Sequence, residues 1–349
     1  MKKIAALLIL SFWMLLPSVC HADDSDFQVW LSNFRTQAFK QGVSAETINK
    51  HFNSIQYLPD VIAKDRNQPE FKLTFAEYKK RIISPERLQA GRAALKQNEQ
   101  YLNWVQEKSG VSKSVVVALW GIETRFGNVK GGYNILSALA TLSYDGRRSA
   151  YFSKEFMTAL QLIDKYPYLD RPMLSSWAGA VGQCQFMPTS YWNFAIDGNN
   201  NGRVDLWEER EDVLASAANY LMKSGWKAGQ PWGVAAKGAE HIDPSQTGLE
   251  VQKPIAEWLH LGVKPGKIVG MNITDPASLI MPDGPKGPAF LVFNNYRTIM
   301  SWNRSHNFAL TVGSLADQIA VPGKSKQKST PSNHKKPSVN PSTNSADYL

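Results

Sequence analysis

The run Val115-Val116-Val117-Ala118-Leu119-Trp120 offers no polar face to water whichever way a helix turns it, and it leads straight into Gly121-Ile122-Glu123-Thr124-Arg125-Phe126-Gly127. Such a segment can only be the centre of a core, so other elements must surround it. The pattern predicts a buried helix that starts near Ser112 and stops around Gly127, a residue type that ends helices readily. A chain of 349 residues, 43% hydrophobic and 20% charged, has the length and apolar content to build that surround without disulfide staples. Disorder, fibres and cysteine-stapled mini-folds are thereby excluded.

Helices dominate the expectation for the first third, where Phe27, Trp30, Leu31 and Phe34 recur at helical spacing and Val43-Ser44-Ala45-Glu46-Thr47-Ile48 reads as a capped start. Further helices are predicted over 152–165 and 211–224, the second with Val213, Leu214, Ala217, Tyr220 and Leu221 on one face. After Pro231 the pattern changes to Gly, Pro and short β-type runs, Lys267-Ile268-Val269 and Ala289-Phe290-Leu291-Val292-Phe293, which predicts a small β subdomain. A last helical stretch over 296–320 closes the ordered body.

The start, Met1-Lys2-Lys3, is basic and precedes an apolar run over 4–16 broken only by Ser11, the length of a secretion-signal core and short for a membrane helix. Cleavage after Ala22 is expected, with a periplasmic product. Lipid attachment at Cys20 is the rival, disfavoured by the bulk of Val19 and by Pro17. The exported chain would then keep Cys184 alone, so its fold must rest on packing, and a lone cysteine reads as a small buried hydrophobe rather than a nucleophile.

The formal charge of +9 falls to +7 once Lys2 and Lys3 are removed. In the Ser-, Pro- and Asn-rich tail over 322–349, Lys324, Lys326, Lys328, Lys335 and Lys336 against Asp347 account for +4 of that. This tail cannot bury enough apolar surface to fold. The body therefore carries only +3 and no nucleic-acid motif, so nucleic acid is not an expected partner.

Glu123 is the first candidate for chemistry. A carboxyl near the end of an apolar helix is desolvated, its charged form is disfavoured, and its pKa rises toward a range where it can donate a proton near neutral pH. The alternative at this point is a structural glutamate bonded to Arg125 or to backbone. The segment Ser175-Ser176-Trp177-Ala178-Gly179-Ala180-Val181-Gly182-Gln183-Cys184-Gln185-Phe186-Met187-Pro188 mixes small residues with amides, which lets backbone approach a ligand closely while Gln185 both donates and accepts. Sugars ask for that mixture, although tight packing would explain it too.

A second motif stands apart. Asp197-Gly198-Asn199-Asn200-Asn201-Gly202-Arg203-Val204-Asp205-Leu206-Trp207-Glu208 satisfies the EF-hand pattern D-x-[DN]-x-[DN]-G followed by five residues and Glu. Side-chain oxygens of Asp197, Asn199 and Asn201, the Arg203 carbonyl, Asp205 and a bidentate Glu208 are what a calcium ion needs. Three formal negatives imply modest affinity and a structural role. A solvated Asn-Gly loop without metal is the alternative. None of the histidines has zinc-ligand spacing, and no organic cofactor is implied.

Taken together, Trp120 to Gly127, Leu136 to Ser143, the pair Arg147-Arg148, Ser176 to Pro188, Ala218-Asn219-Tyr220 and Asn303 resemble the membrane-bound lytic murein transglycosylase B type of peptidoglycan-cleaving enzyme. The resemblance runs over roughly 68–318, and Glu-Thr-x-x-Gly with Gln-Phe-Met-Pro is specific in combination. It implies a mostly α fold: a goose-type-lysozyme-like α+β core, an added N-terminal helical domain and a small β subdomain. The expected divisions are a signal peptide (1–22), a helical domain (23–100), the catalytic core (101–230) with its loop at 197–208, the β subdomain (231–293), a helical return (294–321) and a basic tail (322–349).

By that resemblance Glu123 is the single catalytic acid/base. Tyr78, Ser176, Gln185, Tyr220 and Asn303 line the glycan cleft, and Arg147 and Arg148 suit the carboxylates of lactyl and peptide groups. The family usually has Tyr where this chain has Trp302 and Phe308, so a hydroxyl is missing at both places. Some relatives close the metal loop beyond its twelfth position, which makes Asp212 the rival of Glu208.

The implied reaction opens the bond between MurNAc and GlcNAc without water and leaves a 1,6-anhydro sugar, since the matched motifs hold no second carboxylate for hydrolysis. A hydrolytic muramidase and a catalytically idle, calcium-dependent peptidoglycan-binding protein are the alternatives. The expected partners are glycan strands, with cell-wall synthesis or division proteins as further candidates, and the chain is expected to act as a monomer.

Overall fold

Ser44, Thr74 and Ser84 each accept, on the side-chain oxygen, the backbone amide three residues ahead, and each thereby starts a helix. Such caps contribute about 1 kcal/mol apiece. At Thr74 the carboxylate of Glu77 also takes the Thr74 amide, which completes a capping box. In the computed structural model, which describes residues 24–67, 73–129 and 131–321, these starts belong to the second, fourth and fifth of six helices: α1 (Asp24–Lys40), α2 (Ala45–His51), α3 (Pro59–Arg66), α4 (Phe75–Ile82), α5 (Pro85–Gln97) and α6 (Glu99–Ser109). The expected signal peptide and tail lie outside the described residues.

The all-apolar run forms α7 (Lys113–Thr124), in which Val116, Val117, Ala118 and Leu119 are fully buried. Full burial of a valine or leucine side chain stabilises by about 1.5–3 kcal/mol. The helix ends three residues earlier than the sequence predicts, because Arg125 and Phe126 already adopt left-handed backbone (φ 52° and 59°). Gly121 leaves the space that lets the Phe126 ring fold back against Trp120, edge to face at 5.6 Å.

A two-stranded antiparallel ladder, β1 (Tyr133–Asn134) with β2 (Leu174–Ser175), brackets α8 (Ile135–Tyr144) and α9 (Ser149–Lys165), which pack on each other. After β2 come α10 (Pro188–Phe194) and α11 (Arg210–Lys223).

The chain then forms β3 (Gly233–Lys237), β4 (Lys253–Pro254), α12 (Ile255–His260), β5 (Lys264–Pro265), β6 (Pro276–Ile280) and β7 (Ala289–Val292). These strands make one antiparallel sheet in the order β4-β6-β7-β3-β5, with Ala235 opposite Phe290 and Leu279 opposite Leu291. The run Lys267-Ile268-Val269, expected as a strand, is irregular. Ile268 packs at the edge of the sheet's apolar cluster, while Val269 is 63% exposed, and the run pairs with no neighbouring strand among the described residues.

The helical return is two helices rather than one stretch: α13 (Asn294–Trp302) and α14 (His306–Ala320), parted where Asn303 goes extended and Ser305 caps the second. α7 packs against α5, α11 and α14. One buried cluster runs from Phe27 to Ile319 and includes α7, while Trp258, Val263, Leu279 and Leu291 belong to a second cluster under the sheet.

Candidate active site

The last turn of α7 carries Glu123 out of the core to the junction with α13. Its Oε1 accepts the indole Nε1–H of Trp302 at 2.8 Å. The carboxyl is only partly exposed, and burial pushes its pKa up to about 7, with the Trp302 bond acting in the opposite direction.

The segment from Ser175 to Phe186 folds back on itself through backbone bridges from Val181 to Ser175 and to Phe186. Gly182 sits at φ 65°, where a Cβ would meet the Leu206 backbone at 2.6 Å, so only glycine lets the two chains lie this close. Gln185 is also left-handed (φ 51°), a conformation that costs a non-glycine residue of this kind about 1 kcal/mol or more and concentrates at functional sites. Its amide donates to Gly182 O at 2.9 Å. Ser176 Oγ accepts the amides of Ala178 and Ala180, which sets the shape of the same turn.

The neighbouring residue, which the sequence reading did not single out, is the keystone. Gln183 Oε1 accepts from Trp120 Nε1 at 2.8 Å, its Nε2 donates to Trp207 O at 2.8 Å, and its carbonyl accepts from Thr124 Oγ1 at 2.9 Å. The last turn of α7, the Gly-rich turn and the closing part of the metal-type loop are thus joined through one buried residue. Cys184 beside it is buried, donates to Val213 O, and has its thiol pKa pushed up by burial, which fits a packing role.

Rings build the wall next to Glu123. Trp302 packs against Phe186 at 5.2 Å and Tyr220 at 4.8 Å, Tyr220 packs against Phe194 at 4.5 Å, and the Tyr220 hydroxyl donates to Ser301 O at 2.6 Å. Asn303 follows directly, with an exposed side chain. Tyr151, 46% exposed, lies close enough to Arg148 and Tyr220 to feel both, and burial of its hydroxyl pushes its pKa up to about 12. Nothing in the sequence distinguished it from a surface tyrosine.

Phe308 is core at 4% exposure. Tyr78 on α4 stands near Arg87, whose guanidinium is also near Arg125. Arg147 and Arg148 are held on the buried carboxylate of Asp65: Arg147 Nε binds Oδ2 at 2.6 Å and Arg148 binds Oδ1. About half of each arginine side chain remains exposed.

In the loop, Asp197 accepts the amides of Asn201 and Gly202, and the carboxylate facing Asn199 and Asn201 is that of Glu209, whose Oε2 lies 2.6 Å from both side-chain amides. Glu209 is one residue beyond the expected twelfth position, and Glu208 is exposed. Asp205 and Asp212, expected as ligands, bind backbone within the loop and at its ends. Asp212 is fully buried and accepts the amides of Gly198 and Asp205, so it clamps both ends of the loop. Asp205 accepts the Trp207 and Glu208 amides and pairs with Arg171 at 2.9 Å. Arg203 reaches Glu209 Oε1 at 2.6 Å. Among the described residues no three His, Cys, Asp or Glu side chains converge as a metal cluster.

The sequence model described as "Transglycosylase SLT domain" matches residues 26–317. The chain is 34% identical over 246 residues, 70% of its length and 67% of the relative's, to membrane-bound lytic murein transglycosylase B of Escherichia coli strain K12. The structure of SltB3 from Pseudomonas aeruginosa in complex with NAG-NAM-pentapeptide is similar, with a TM-score of 0.78 and 39% identity over 84% of this chain and 79% of that one. The E. coli lytic transglycosylase Slt35 in complex with calcium matches with a TM-score of 0.73 and 30% identity over 83% of this chain and 92% of that one.

Proposed function

The chain belongs to the SLT-domain family of lytic murein transglycosylases with a lysozyme-like fold, and we propose that Glu123 alone carries its reaction on peptidoglycan, first as acid and then as base. The observation behind this reading is an enclosed carboxyl with a pKa of about 7 at the end of a buried helix. Near neutral pH a large share of it holds a proton, as a general acid must.

The acid gives its proton to the oxygen that links MurNAc to GlcNAc, and the bond from C1 to that oxygen breaks. The carboxylate left behind takes the proton of the MurNAc 6-hydroxyl, and that oxygen forms the new bond to C1 of its own ring. Glu123 ends protonated, the products are a GlcNAc end and a 1,6-anhydroMurNAc end, and no water is consumed. Because the nucleophile is tethered, little additional entropy is lost in bringing it to the reacting carbon. Tyr78, Ser176, Gln185, Tyr220 and Asn303 line the glycan path in this reading, with Tyr151 added as an exposed ring beside Tyr220, and the outer halves of Arg147 and Arg148 face anionic substituents.

The loop over 197–209 fits calcium in donor chemistry: the side-chain oxygens of Asp197, Asn199, Asn201 and Glu209 and the Arg203 carbonyl are all hard ligands, and Gly202 makes the turn at φ 89°. Calcium there would add rigidity at a distance from the sugar chemistry. An envelope location is supported by the basic, apolar start of the sequence and by the membrane-bound relative; no helix among the described residues is long and apolar enough to cross a membrane.

Mass spectrometry of muropeptides released from purified sacculi tests the reaction. Wild type should release anhydroMurNAc products and Glu123→Gln none. MurNAc with a free reducing end would instead identify a hydrolase, and unchanged behaviour of the variant would identify a binding protein.

A further inference from the structure

Building on that reaction, we infer that Trp302 is a positioning residue that confines both proton transfers to one oxygen of Glu123, Oε2, by occupying Oε1 with its indole N–H. The bond from Nε1 to Oε1 is 2.8 Å. The ring cannot drift from it, because Phe186 and Tyr220 flank it at 5.2 and 4.8 Å and the Tyr220 hydroxyl is tied to the backbone of Ser301, one residue before Trp302.

Indole, unlike a hydroxyl, has a donor and no acceptor. A protonated Oε1 would be a poor acceptor for the indole hydrogen, so the acid form is favoured with its carbonyl oxygen at Oε1 and its proton on Oε2. When that proton leaves for the glycosidic oxygen, the negative charge develops on a carboxylate whose Oε1 is already stabilised by the N–H. Oε2 is then the oxygen free to take the proton of the 6-hydroxyl. The sugar must bring its 6-hydroxyl to the place the glycosidic oxygen has just left. A tyrosine at this position could rotate its hydroxyl and accept, which would let either oxygen hold the proton; tryptophan removes that freedom.

The groups around Glu123 leave the bond as its specific polar control. Burial raises its pKa and the Trp302 bond lowers it. From the Gly-rich turn, Cys184 faces it as a thiol kept protonated by burial. From α11, Tyr220 stays neutral, with Arg304 near it. Arg125 lies beside Arg87 of α5. On α14, which also packs on α7, His306 is partly buried, has its pKa lowered by burial and bonds to Tyr296 at 2.7 Å.

Trp302→Phe keeps the ring and removes the donor. Its rate on sacculi should fall at least tenfold in kcat with little change in KM. The midpoint of its pH profile should move up by about one pH unit, the size expected for losing a hydrogen bond to a charged group. Trp302→Tyr, which restores a donor, should bring the midpoint back toward that of wild type. A Phe variant with the wild-type midpoint and kcat would overturn the inference.

A second measurement needs neither turnover nor a folded variant. In wild type the indole ¹H–¹⁵N resonance of Trp302 should titrate with the midpoint of Glu123, and a resonance flat from pH 5 to 9 would overturn the inference. Should wild type release no anhydro product, the reaction itself would be wrong, and the indole titration would still report whether the bond exists.

Discussion

Replacing Glu123 by Gln should make the folded protein more stable at alkaline pH and leave its stability almost unchanged at acid pH. The carboxyl has a pKa of about 7 in the fold against 4.5 when unperturbed. The folded state therefore binds the proton more tightly than the unfolded chain does. Below pH 4.5 both states are protonated and the difference costs nothing. As pH rises through 7, the folded state must accept a charge that the unfolded chain accepts far more easily. At 1.36 kcal/mol per pH unit of separation, the wild type loses up to about 3 kcal/mol by pH 9, less whatever solvent reaching the partly exposed carboxyl screens away.

Glutamine keeps the shape and an oxygen for the Trp302 N–H, and it never ionises. Urea unfolding of both proteins at half-unit steps from pH 4 to pH 9, compared as a difference, isolates this one group from every other titration. A difference curve that starts near zero and climbs between pH 5 and 8 is the expected result. A flat curve would mean that Glu123 ionises in the fold as it does in the unfolded chain, and the protonated acid on which the reaction depends would be gone.

Gln183→Leu preserves volume but leaves Trp120 Nε1 and Trp207 O without partners in the core, which should cost about 2–6 kcal/mol in chemical denaturation; a loss under 0.5 kcal/mol would mean that both groups find other partners. Calcium should raise the melting temperature of wild type and not that of Glu209→Gln, whereas Glu208→Gln should respond like wild type; the opposite pattern would return the ligand role to the twelfth position. Asp65→Asn should cost about 1–3 kcal/mol, because its carboxylate is buried while both arginine heads can rehydrate. Urea midpoints of that variant with Arg147→Gln and Arg148→Gln would reveal whether the three side chains act as one unit.

The central helix was legible because an all-apolar run has one destiny in water, and Glu123 was legible because it interrupts that run near its end. The Ser44 cap was readable from the same kind of local chemistry. What could not be read depended on side chains meeting across long sequence distances. Trp302 lies 179 positions from Glu123, and nothing in its neighbourhood announces that its N–H, rather than a tyrosine hydroxyl, reaches the acid. Gln183 sits in view inside a motif, but its role is hidden there, since an amide buried between two tryptophans and a half-buried one such as Gln185 read alike in a string of letters. The loop geometry was hidden in a different way. The consensus spacing assumes that the residue after eleven others swings back, and here it is Glu209, one residue later, whose carboxylate lies against the side-chain amides of Asn199 and Asn201. Lys267-Ile268-Val269 was read as a strand from residue type alone, without the neighbour that a strand requires.

Gln183 has a mechanical consequence. Its side chain grips both the Trp120 ring of the catalytic helix and the strand of backbone leaving the loop, so those two regions cannot loosen independently. Heat or chelator that melts the loop would slacken the last turn of α7 and let water in around the acid, and catalysis would fade at temperatures below the main unfolding transition. The firmness of the last turn of α7 then depends in part on a loop remote from it in sequence.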